Sequence, residues 1–167
     1  MDQQNNFLDE FEEKQKLSTL KTLTILTFIG SGLAILSSIW TVATAESSYQ
    51  KMQDLINSGK VDQLPSFVKD MYSPERMEMM RKSVENKIPI FIIGIIAGAL
   101  CIFGAMQMRK LKAEGYWIWL IGEILPFLGI VFFLGVGFFS GVFMWITLVI
   151  TGVFVLLYSL QKKNLTR

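Results

Sequence analysis

Histidine is absent from the 167 residues and cysteine occurs once, at Cys101. The first absence removes the commonest general base and the commonest metal ligand, so Ser-His and Cys-His nucleophile systems cannot be assembled. The second excludes an intramolecular disulfide and a CxxC zinc or redox site. Cys101 sits in an apolar stretch and reads as a small buried hydrophobe, because a reactive thiolate needs exposure and nearby positive charge. Neither GxxxxGK[ST] nor GxGxxG occurs, so glycine loops of the phosphate-cradling kind are missing too. Charge is scarce at 18% of residues, against about 25% in soluble domains. A net charge of +2 is too small and too dispersed for a nucleic-acid surface. The expectation is a chain that is not an enzyme, with no cofactor, no metal and no nucleic-acid partner.

What is present is long uncharged sequence. Residues 22–45, 88–108 and 124–161 carry no charge at all and are dominated by Ile, Leu, Phe, Val and Gly. The mean hydropathy of +0.43 agrees. At ~1.5 Å per residue, about 20 residues cross the ~30 Å of hydrocarbon in a bilayer. The first two runs are one crossing each, and the 46 residues from Tyr116 to Gln161 are about right for two. The reversal is expected at Gly135-Val136-Gly137, with Ser140 and Gly141 following, where glycine permits a tight turn.

The predicted fold is all-α, with four transmembrane helices and a short extracytoplasmic helical cap between the first two. Its segments are a tail over 1–19, helices over 20–45, 88–108, 116–135 and 138–160, the cap over 46–87, a basic turn over 109–115 and a tail over 161–167. Orientation follows the positive-inside bias. Lys14, Lys16 and Lys21, then Arg109, Lys110 and Lys112, then Lys162, Lys163 and Arg167 all fall on one side of a four-span chain. Both termini are therefore predicted cytoplasmic, in a bacterial inner membrane. Ala43-Thr44-Ala45 before Glu46 has the form of a signal-peptide cleavage site. The 21-residue leader, with five acids and three bases, and the long apolar run both fit a signal peptide poorly, so the first helix is expected to stay uncleaved.

Within the cap, Tyr49, Met52, Leu55 and Ile56 recur at helical spacing, so the first helix is predicted to project until Asn57-Ser58-Gly59. Val61, Leu64, Phe67, Val68 and Met71 suggest a short amphipathic piece. Ser73-Pro74-Glu75 reads as a helix start, with Ser as N-cap and Pro at the first helical position. Pro89 is expected to kink the second span where it meets the bilayer. Met71, Met77, Met79 and Met80 invite a Cu(I) reading, but with no His or Cys among them adaptable packing is preferred.

Glu123 is the only ionisable residue well inside a span, and intramembrane acids raise a functional hypothesis by default. Gly122 and Pro126 join it in the candidate site, since Pro126 lacks the N–H that would bond the carbonyl of Gly122. The bland alternative is a protonated acid hydrogen-bonded to a Ser or Thr, or one snorkelling towards Lys110 or Lys112. Small residues form candidate helix-packing seams at Gly30, Ala34 and Ser38 on the first helix, and at Gly94 and Gly98, with Ala97, Cys101 and Ala105, on the second. Packing within the chain is preferred there over a homodimer face. The Phe-rich third and fourth helices are candidates for a lipid-facing or partner-facing half. Trp40, Tyr116, Trp117 and Tyr158 fit interfacial belts. The acidic tail Asp9-Glu10-Phe11-Glu12-Glu13 is either solvated or a docking helix.

The stretch from Met106 to Pro126 resembles the second-to-third helix hairpin of small, uncharacterised four-pass bacterial membrane proteins. It shares a basic turn, Gly115 followed by aromatics, and Glu123 shortly before Leu125-Pro126. That resemblance implies a fold and no activity. The four-pass count and single membrane glutamate are also similar to small multidrug transporters, although here the acid is in the third helix and a large external segment intervenes. The functional expectation is an accessory or interaction subunit of a larger membrane assembly, in contact with the bilayer and with a protein partner or copies of itself. The alternative is a small oligomeric proton-coupled transporter using Glu123.

Overall fold

A computed structural model describes residues 2–135, 142–162 and 165. All regular elements among them are helical, and four helices are long and apolar enough to cross a membrane. Helix α1 runs unbroken from Asp2 to Asn57, so residues 2–19 of the predicted tail are helical and continuous with the first span. It stops where expected, because Gly59 adopts a left-handed φ of 68° that reverses the chain. The cap follows as a 3₁₀ turn at Lys60–Gln63, a single helical turn α2 at Ser66–Lys69, a second 3₁₀ turn at Asp70–Tyr72 and helix α3 at Pro74–Glu85.

Helix α3 begins as its sequence suggests, with Ser73 extended and Pro74 first, but the Ser73 hydroxyl makes no capping bond. Instead its carbonyl accepts from the Met77 N–H at 3.0 Å. The surface of α3 carries an ion-pair network in which Arg81 bonds both Glu78, at 2.8 Å, and Glu85. Helix α4, Lys87–Arg109, starts immediately after Asn86. The helix is interrupted at Asn86, three residues before Pro89. Pro89 cannot donate to the carbonyl of Glu85, and this missing bond is harmless within the first turn of a new helix.

A tight basic turn joins α4 to α5, Glu114–Leu134. It requires Leu111 to adopt φ 58°, a conformation that costs a non-glycine residue ~1–2 kcal/mol. Packing of the partly buried Leu111 side chain on the core offsets that strain. Helix α5 ends at Gly135, whose φ of 86° agrees with the predicted break there. Residues 136–141 lie outside the described residues, and with them the expected turn at Gly137, Ser140 and Gly141. Helix α6 covers Val142–Lys162.

Helices α4 and α5 meet backbone to backbone. A methyl group placed on Gly104 would lie 2.5 Å from the Trp119 nitrogen, and one on Gly115 would lie 2.6 Å from the Gly104 carbonyl oxygen. No side chain fits at such distances, so glycine is a packing requirement here. Helix α1 lies along α4 through Ser38 against Gly94 and Ile35 against Gly98, as the seams on those residues suggested. Gly30 and Ala34 are corrected: both are exposed, and nothing lies within 4 Å of a methyl group placed on Gly30. The buried residues of α1 are instead Leu20, Leu23, Thr24, Thr27 and Ser31, nearer the basic end of the bundle.

The largest buried cluster joins Leu20 and Leu23 of α1, Cys101 and Met108 of α4, Tyr116 and Trp119 of α5 and Tyr158 of α6, with Leu165 beyond it. These residues gather at the end of the bundle that carries Arg109 and Lys162. Arg109 sits 5.9 Å from the Phe28 ring, and Lys162 sits 4.2 Å from the Trp117 ring. The opposite end, nearer the cap, is looser and holds two cavities.

Candidate functional site

The site builds up from a stripe of hydroxyls. Thr24, Thr27 and Ser31 follow one another at three- and four-residue spacing along α1, and all three are buried. Polar groups buried between spans need internal partners, because lipid supplies none. Thr24 donates to its own helix at the Lys21 carbonyl, 2.9 Å away. Thr27 reaches across to α6, where its hydroxyl and that of Tyr158 are 2.7 Å apart. Tyr158 is wholly buried and rests on Trp119 of α5, with ring centroids 4.5 Å apart. The indole N–H of Trp119 is buried and has no acceptor among the described residues. An orphan donor of this kind costs ~1–3 kcal/mol, which the aromatic packing around it must outweigh.

Glu123 stands beside this cluster. A methyl group on Gly122 would fall 2.7 Å from the Cys101 sulfur, so the glycine brings α4 against α5 at that level. The approach leaves Cys101 Sγ 3.8 Å from Glu123 Oε1 and 3.8 Å from the Trp119 carbonyl oxygen. A thiol has one proton, so these two acceptors share one weak donor. The partner of Glu123 is therefore Cys101, rather than the Ser, Thr, Lys110 or Lys112 that the sequence suggested. Glu123 is only partly buried. Among the described residues no group of three or more His, Cys, Asp or Glu could hold a metal ion.

Several expected residues thus converge and others do not. Glu123 and Gly122 join the cluster, while Pro126, one turn further on, lines a cavity with Ile93 and Gly129. The belt assignment holds in exposure for Trp40 and Trp117, at 72% and 53% exposed, and fails for Tyr116 and Tyr158, which are core residues. Phe132 is 82% exposed, while Phe154 packs against the core, so α5 and α6 are not lipid-facing along all their Phe residues. Sequence reasoning missed Thr27, Trp119 and Tyr158 as members of the site. The readable signal was the Thr24-Thr27-Ser31 spacing, a polar face on a helix that has no other reason to carry one.

Fold and site together define an all-helical bundle with four helices long and apolar enough to span a membrane, sealed at one end by an aromatic and hydroxyl cluster. The chain matches no protein-family model, no curated protein and no solved structure.

Proposed function

We propose that the chain is a non-enzymatic multi-pass membrane protein that acts as an accessory or interaction subunit of a larger assembly. The observation that carries this reading is the reach of α1. Its 56 residues make a rod of about 84 Å, against ~30 Å of hydrocarbon. One helix thereby stiffly links surfaces on both faces of the bilayer. On the cap side its extension packs with α3, pairs through Glu46 with Lys87 at the start of α4, and offers polar positions such as Gln50 and Asp54 outward.

The basic end of the bundle, with Lys21, Arg109, Lys110, Lys112 and Lys162, supports an orientation with that end cytoplasmic and the cap outside an inner membrane. Thiol labelling of Ser58→Cys in intact cells checks it, since native Cys101 is buried. The interaction reading is tested by placing a photoreactive residue at Gln50 or Asp54 and crosslinking in cells. One discrete heavier species is expected, and adducts to lipid alone would overturn the reading.

A second reading, the oligomeric proton-coupled transporter, is favoured by the 3.8 Å approach of Cys101 to Glu123 between two apolar helices. Under it, Glu123→Gln abolishes pH-dependent cation flux in reconstituted vesicles while assembly persists. Absence of flux in the native protein would sink it.

A further inference from the structure

The looser end of the bundle holds two cavities, of about 160 Å³ and about 140 Å³, that share Ser38 and Ile90. The outer one lies between α1, α3 and α4, with Ser37, Thr41, Ser83 and Lys87 supplying hydroxyls and an ammonium, and Val42 and Phe91 supplying an apolar wall. The inner one runs on between α4 and α5 and is apolar, walled by Ile93, Pro126 and Ile130. Gly94 and Gly129 also line it, each packed closely against a neighbour, Gly94 on Ser38 and Gly129 on Ile93. Polarity thus falls steadily from mouth to interior.

The mouth stands at a boundary of the bilayer. Glu46 is the first charge after the uncharged run 22–45 of α1, and Lys87 is the last before the run 88–108 of α4. The two meet there, Lys87 Nζ donating to Glu46 Oε2 at 3.0 Å, with both side chains still reached by solvent. One cation and one anion side by side at headgroup level, above hydroxyl donors and an apolar slot, match the charge order of a zwitterionic headgroup. A lipid phosphate would take Lys87 and the serine and threonine hydroxyls, its ammonium would take Glu46, and part of an acyl chain would fill the inner cavity.

We propose that this paired cavity is a binding site for a zwitterionic phospholipid of the cap-side leaflet, with a primary-amine headgroup of the phosphoethanolamine type. The apolar inner cavity selects the lipid over a free phosphate ester, because only the lipid brings a chain to fill it. The site is separate from the Glu123 cluster, since Glu123 lines neither cavity.

The test uses the full chain reconstituted in vesicles of equal parts phosphatidylethanolamine and phosphatidylglycerol, released in mild detergent and weighed by native mass spectrometry. One phosphatidylethanolamine per chain is expected, enriched over the bilayer ratio by about threefold, the factor that an exposed ion pair supplies. Lys87→Gln should abolish the enrichment. Glu46→Gln should turn the preference towards phosphatidylglycerol, because the anionic partner for the amine is gone. Ser38→Leu, which blocks the junction of the cavities, should remove the retained lipid altogether. If that variant does not fold, as judged by circular dichroism, the two exposed charge variants still decide the matter. Lipid retained in the bilayer ratio, a native preference for phosphatidylglycerol, or indifference to Lys87→Gln would overturn the assignment. Retention of free phosphoethanolamine, with none of the lipid, would also overturn it.

Discussion

Replacing Gly104 by Ala perturbs the place where α4 and α5 touch most closely, and its effect can be worked from the distances. The added methyl would lie 2.5 Å from the Trp119 nitrogen, where ordinary contact begins at 3.4 Å. Both helices are rigid there, so their backbones must part by about 0.9 Å to accept it. A gap of ~0.5–1 Å forfeits roughly a quarter to a half of each dispersion contact along the seam. Overpacking of this kind costs ~1–3 kcal/mol, and backbone obstacles place it towards the upper end. Against that, Ala is favoured over Gly in a helix interior by ~1 kcal/mol. The net loss is about 1–2 kcal/mol, or a fall in Tm of about 2–8 °C for a chain of this size. Thermal unfolding in mild detergent, followed by tryptophan fluorescence, reads it directly because Trp119 lies in the seam. Gly30→Ala and Gly152→Ala are the controls, since nothing lies within 4 Å of either position. They should raise Tm slightly through helix propensity alone. Should Gly104→Ala behave like Gly30→Ala, the close α4–α5 packing described above is wrong.

Three further outcomes follow from the same structure. Tyr158→Phe and Thr27→Val each break the buried hydroxyl pair, and a double-mutant cycle on unfolding should return a coupling of about 0.6–1.7 kcal/mol; additivity would refute the bond. Pro126→Ala restores an N–H for the Gly122 carbonyl and should raise stability by about 1 kcal/mol, measured in the same thermal assay; no change would mean that the carbonyl already has a partner. In α3, the hydrogen bond from Arg81 holds the Glu78 carboxyl below its ordinary value of 4.5. A depressed folded pKa stabilises above the unfolded value, so α3 should be unaffected between neutral pH and 5 and should lose amide protection as the pH falls below 4.5. Arg81→Met should flatten that dependence in hydrogen exchange, and an unchanged profile would exclude the pair as its cause.

Much of the bundle is legible in the residue order because helices long and apolar enough to cross a membrane leave little choice of arrangement. Uncharged runs of about 20 residues have one stable arrangement in hydrocarbon, so spans could be read within a few residues of α4 and α5. Gly59 and Gly135 mark helix ends, and each adopts a positive φ. The seams were only partly legible. Gly94, Gly98 and Ser38 pack as their spacing suggests, yet Gly30 and Ala34, equally small and equally spaced, face outward. In a soluble protein the polar face would have told inside from outside. In a membrane both faces are apolar, and the pattern loses that information.

The sequence alone determined the absence of histidine chemistry, the helical class, the number of long apolar helices and the isolation of Glu123 among uncharged neighbours. Each follows from composition and local order, which no packing can alter. Tertiary structure decided which neighbour Glu123 meets, that Tyr158 is core rather than belt, and that Glu46 of α1 pairs with Lys87 of α4. Those facts bring together residues as far apart as Thr27 and Tyr158, and only the rotation of each helix about its own axis sets which of them touch.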